Sequence, residues 1–130
     1  MDAKLTLAQS LKAVACGLSL WFIGALVVQF GRPIGLFGPH LAILYLASVL
    51  LIPASIMLVK RIAGLADGAQ YVTGVALGTA AAIVWDGLLI AFAPGLYGGP
   101  GEGLAQGAAW ILFAGALGFV PPLVSLFRSR

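Results

Sequence analysis

Charge is what this sequence has least of. Among its 130 residues 8% are charged, whereas an ordinary soluble domain carries about 25%. Hydrophobic residues make up 62%. A soluble sphere of this size has too little interior to hide that much apolar surface from water. A bilayer accommodates it, because lipid is then the solvent for that surface. Cysteine is nearly absent as well. Cys16 stands alone, so an internal disulfide, a thiol redox pair and a cysteine metal cage are excluded. A lipoprotein signal would place its apolar run before the cysteine, but here the run follows it and Lys12 interrupts what precedes it. Cys16 therefore reads as a small packing residue. There is a single histidine, His40, and asparagine does not occur. With so few nucleophiles and no evident acid–base pair, the chain is not expected to be an enzyme, and no metal or other cofactor is expected. The net charge of +3 comes from scattered lysines and arginines rather than a basic stripe, so nucleic acid is not an expected partner.

What remains is apolar sequence in four blocks, from about Leu11 to Phe30, Leu41 to Val59, Tyr71 to Ala93 and Gly107 to Phe127. Each is close to the ~20 residues that carry a helix across a ~30 Å hydrocarbon core. Helices are the expected spanning elements, since a barrel would need many alternating strands. The expected fold is thus all-α: a polytopic membrane protein with four transmembrane helices in one domain over residues 1–130. The joints between blocks are rich in glycine and proline, as turns require: Gly31-Arg32-Pro33, and Pro94-Gly95 leading into a glycine-rich stretch that ends at Gly103. Tyr97 is placed for an interfacial aromatic belt. Pro53, and Pro121 with Pro122, should bend or end their helices.

Orientation follows from the basic residues. Lys4, Lys12, Lys60, Arg61, Arg128 and Arg130 fall on one side, and of the seven lysines and arginines only Arg32 falls on the other. Basic residues in short loops stay cytoplasmic. The N- and C-termini and the middle loop are therefore expected inside, with the chain in the cell (inner) membrane. The two halves are weakly alike: Gly35-Leu36-Phe37-Gly38-Pro39 follows the first helix, and Gly95-Leu96-Tyr97-Gly98-Gly99-Pro100 follows the third. Two repeated helical hairpins would explain this, and so would convergence of short membrane loops on glycine, proline and aromatics.

The residue most informative about function is Asp86, an acid inside the third block. A charge there costs ~2.5–3.5 kcal/mol on insertion scales, so some interaction should offset it. Gly78, Thr79 and Ala82 form a small-residue stripe near it, which directs Asp86 into the bundle. Arg32, His40 and Gln29 lie toward the same side and complete a candidate intramembrane polar site; Glu102 and Gln106 add to a shallow outward vestibule. The site reads as a proton or cation site, as a carboxylate partner for a ligand, or as a structural ion pair or hydrogen bond that fixes helix packing. Gly74-x-x-x-Gly78 in the third helix, with Gly107 and Gly118 in the fourth, allows close helix approach, within a monomer or between monomers.

Asp86-Gly87 followed by Phe92-x-Pro94-x-x-Tyr97-Gly98 resembles a pattern in a family of small bacterial four-helix membrane proteins of unknown function. The resemblance covers the third helix and the loop after it. It implies the same architecture, with no activity and no site residue carried across. The motifs of several better-known small families are missing: no acid lies between Leu11 and Phe30, where the small multidrug resistance transporters carry a glutamate. The leading functional expectation is a small non-enzymatic accessory or interaction subunit. Its partners would be the lipid bilayer and either further copies of the chain or a larger membrane complex. The alternative is a small oligomeric transporter or channel with Asp86 as its coupling carboxylate.

Overall fold

The computed structural model describes residues 2–130. It is helical, without strands among the described residues: α1 spans Leu7–Gly31, α2 Leu41–Ala63, α3 Ala69–Phe92, α4 Glu102–Gly118 and α5 Val120–Arg128, with a 3-10 turn at Pro94–Tyr97. The helices make four candidate membrane spans, because α4 and α5 together cover 27 residues of continuous apolar length. The shortest span, α2, has 23 residues, or about 34 Å at 1.5 Å per residue, enough for the hydrocarbon core. The outward flanks are apolar. Leu46 (70% exposed), Phe92 (83%) and Leu112 (74%) would be costly in water and are at home against acyl chains.

Local signals set the helix ends. α1 begins a turn earlier than the apolar run suggested, because Thr6 accepts from the Gln9 amide at 3.1 Å while the Gln9 side chain accepts from the Thr6 amide at 2.9 Å. This capping box satisfies two amides that a helix start otherwise leaves open. α2 stops at Gly64, whose φ of 65° is the left-handed cap conformation that glycine adopts without strain. Pro53 neither ends nor interrupts α2, which continues through it to Ala63. Pro121 and Pro122 act as expected: the fourth span breaks at Phe119, and the prolines occupy the first turn of α5, where a missing amide hydrogen costs nothing. α4 starts at Glu102, earlier than the block boundary at Gly107. Its acid sits in the first turn, at the positive end of the helix dipole.

The tightest packing is between α1 and α3. A Cβ placed on Gly17 would come within 2.2 Å of the Gly78 carbonyl oxygen, and one on Gly78 within 2.7 Å of the Ala13 carbonyl oxygen. The backbones touch, which only glycine permits. Gly78 therefore serves contact within the chain. The other three expected packing glycines also face neighbours in the chain: Gly74 lies under Leu65, Gly107 against Tyr97 and Val28, and Gly118 against Ile56. Two apolar clusters result. One, at the end carrying the termini, gathers Ile56, Ala63, Leu65, Tyr71 and Val75; the other, at the far end, gathers Val28, Phe37, Leu44, Tyr97 and Trp110.

Candidate functional site

Asp86 lies on the last turns of α3, directed toward α1 and the Pro94–Tyr97 turn. The Tyr97 hydroxyl donates to its carboxylate, and the indole Nε1 of Trp21 on α1 donates to the same Tyr97 hydroxyl at 3.1 Å. One phenol thus links an acid on α3 to a tryptophan on α1. Trp21 also packs on Trp85, ring centroids 6.0 Å apart. Tyr97 is fully buried (0% exposed). This corrects its assignment to an interfacial belt: the loop after α3 folds back and inserts the ring into the bundle.

Arg32 does not pair with Asp86. Its Nη1 donates to the Gly98 carbonyl at 3.0 Å, while Nε and Nη2 are buried without a hydrogen-bond partner in the chain. The guanidinium lies across the glycine-rich loop so closely that a Cβ on Gly98 would sit 1.7 Å from its Cζ. Gly98 is needed twice over, since its φ of 105° also disfavours any side chain. Arg32 therefore ties the end of α1 to the residue after Tyr97, and so helps to hold the phenol over Asp86. His40 and Gln29 are exposed and make no side-chain hydrogen bond among the described residues. The expected cluster thus divides: Asp86 is joined to Tyr97 and Trp21, Arg32 reaches it only through the loop, and His40 and Gln29 stand apart. A cavity of about 210 Å³ does open at this end, with Arg32, Phe37 and Gln106 in its wall, but Asp86, His40 and Glu102 do not line it. The cavity thus lacks the acids expected in an outward vestibule.

The polar groups that reading the sequence missed lie mostly at the terminal end. Gln70 donates to the Lys4 carbonyl at 2.8 Å and accepts from the Ala66 amide at 2.7 Å, and Gln9 donates to the Gly64 carbonyl at 2.7 Å. Two glutamines thereby stitch the start of α1 to the turn between α2 and α3. Asp67 accepts from Lys60 at 2.5 Å and from Ser125 at 2.8 Å, and Ser125 accepts from the Gly68 amide at 2.9 Å. The Lys60 and Ser125 hydrogen bonds, with the Lys60 charge, hold the Asp67 carboxyl below its ordinary value. Deeper in the bundle, the Trp110 indole donates to Ser48 at 2.9 Å, joining α4 to α2. None of these long-range contacts carries a local sequence signal; the Thr6-x-x-Gln9 spacing marks only where α1 begins.

Among the described residues no group of three or more histidine, cysteine, aspartate or glutamate side chains could hold a metal ion. The side-chain hydrogen bonds from Trp21 to Tyr97, from Tyr97 to Asp86 and from Trp110 to Ser48 join helices and the turn after α3. No family model, curated protein or solved structure matches this chain.

Proposed function

We propose that the chain is a small non-enzymatic interaction subunit of the inner cell membrane, with its termini and the turn at residues 64–68 in the cytoplasm. The observation that carries this reading is the state of Asp86. Its carboxylate is engaged by Tyr97, which is itself held by Trp21, so the one acid in the membrane serves the internal assembly. The alternative, an oligomeric transporter with Asp86 as coupling carboxylate, needs a route to that group. Asp86 is in the wall of neither the far-end cavity nor the one at the terminal end, and its carboxylate is taken by the Tyr97 hydroxyl. Gly17 and Gly78 are used in the contact between α1 and α3, which leaves broad apolar flanks as the surface offered to lipid or to another membrane protein. The proposed orientation rests on the six-to-one distribution of basic residues.

The test is affinity capture of the tagged chain from its native membrane in a mild detergent. An interaction subunit should bring down a second copy or another membrane protein in fixed ratio, and Asp86→Asn should preserve that ratio. A chain that elutes alone as a monomer after in-membrane cross-linking overturns the reading. An Asp86→Asn variant that keeps its fold and its partner but loses a proton flux in reconstituted vesicles would favour the transporter instead. For orientation, Ala66→Cys in a Cys16→Ser background should resist an impermeant thiol reagent added to intact cells; labelling from outside reverses the assignment.

A further inference from the structure

At the terminal end, a cavity of about 880 Å³ opens between the end of α2, the turn that follows it, and α5. Its wall has two characters. Met57 and Val124 form an apolar side, and both remain substantially exposed on the lipid-facing surface (53% and 43%). Lys60, Arg61 and Arg128 give the other side positive charge. The one carboxylate in the wall, Asp67, is already taken by Lys60. Arg61 and Arg128 have no ion-pair partner among the described residues, so the cavity carries two uncompensated cations.

A further observation comes from Tyr71, which also lines this cavity. The residue is only 2% exposed, yet its hydroxyl has no hydrogen-bond partner in the chain. Buried hydroxyls are nearly always paired, so an orphan hydroxyl on a residue of the cavity wall calls for an acceptor from outside the chain. Lys60 lies over the same ring, 5.4 Å from its centroid, which keeps positive charge beside that donor.

Two free guanidinium groups, an orphan hydroxyl and an apolar side open to lipid suit one kind of molecule. It has an anionic head with several acceptor oxygens and a hydrocarbon tail. We propose that this cavity binds one anionic phospholipid. The phosphodiester sits among Arg61, Arg128 and the Tyr71 hydroxyl, and an acyl chain follows Met57 and Val124 along the surface. Arginine suits this task because its planar fork presents paired donors to phosphate oxygens. Charge favours an anionic head over a zwitterionic one, because a choline would add a cation to a wall that already has an excess. The site requires only that this end lies at a membrane–water interface, so it stands whether or not the chain is an interaction subunit.

Binding is measured on the full chain in neutral detergent by native mass spectrometry, titrating phosphatidylglycerol and, separately, phosphatidylcholine. The expected result is saturation at one phosphatidylglycerol per chain, with at least tenfold weaker phosphatidylcholine binding. Arg61→Gln with Arg128→Gln should weaken phosphatidylglycerol binding about thirtyfold, from the usual contribution of two basic residues at an anionic surface. Arg130→Gln, outside the cavity wall, should change it less than twofold. Tyr71→Phe, which deletes one oxygen, should weaken it about fivefold, as one hydrogen bond would. The proposal is overturned if phosphatidylcholine binds equally well, or if Arg130→Gln has the effect of the double variant, since attraction would then be general to the surface. It is also overturned if millimolar inorganic phosphate displaces the lipid, which would make the ligand free phosphate. Should the double variant lose its helical circular dichroism, Tyr71→Phe decides, and unchanged affinity there refutes the site.

Discussion

Adding one methyl group at Gly17 should separate α1 from α3. A Cβ at that position would lie 2.2 Å from the Gly78 carbonyl oxygen and 2.7 Å from the Gly78 Cα, both backbone atoms that no rotamer change can move. To restore contact distance the helices must part by roughly 1 Å, and a gap of that size forfeits a quarter to a half of each dispersion contact along the seam. Overpacking of this kind costs about 1–3 kcal/mol, and the upper end applies where backbone meets backbone. Replacing glycine by alanine within a helix returns roughly 0.5–1 kcal/mol of backbone entropy, so Gly17→Ala should be destabilising by about 2 kcal/mol net. Gly87 on α3 is the matched control, since nothing lies within 4 Å of its added Cβ. Gly87→Ala should gain the entropic part alone, about 0.5–1 kcal/mol of stabilisation. The two single-methyl variants should therefore differ by about 3 kcal/mol with opposite signs. Reversible unfolding in mixed micelles with increasing sodium dodecyl sulfate, followed by circular dichroism, measures both. If Gly17→Ala is as stable as Gly87→Ala, the close backbone contact is not what joins α1 to α3.

Other substitutions test other joints. Tyr97→Phe removes the hydroxyl that bridges Trp21 and Asp86; it should destabilise the bundle by about 1–3 kcal/mol in the same assay, and a neutral effect would contradict a structural role for the phenol. Ser48→Ala leaves the buried Trp110 indole without its acceptor and should cost about 1–3 kcal/mol, whereas Ser55→Ala, which breaks only a hydroxyl bond to the Leu51 carbonyl of its own helix, should be close to neutral. Asp67 has a folded-state pKa held below its ordinary value of 3.8, so its contribution to stability is present above that value and is lost as pH falls through the folded pKa. Its carbon-13 titration midpoint should lie below 3.8, and Lys60→Met should raise it; an unchanged midpoint would remove Lys60 as the cause.

The number and approximate extent of the spans were legible in the sequence because they depend on local quantities. An apolar run either reaches across the hydrocarbon core or falls short, and a bilayer leaves the backbone no choice but to satisfy its own hydrogen bonds. The glycine and proline joints were local too, and so was the break before α5, where Pro121 and Pro122 cannot continue a helix from within. The inward placement of Asp86 also followed from spacing along one helix. The partners of that acid did not. Trp21 and Tyr97 are 76 residues apart, and Ser48 and Trp110 are 62 apart. Whether such groups meet depends on the rotation of each helix about its axis and on the path of each loop. Proximity to one end of the bundle suggested Arg32 as the partner of Asp86, but the glycine-rich loop takes Arg32 for its own carbonyl and delivers Tyr97 in its place. An apolar periodicity marks which residues enter a membrane; in helices apolar on every side it scarcely marks which face meets which neighbour. That choice was made by tertiary contacts, where the backbones of Gly17 and Gly78 alone could approach closely enough to set α1 against α3.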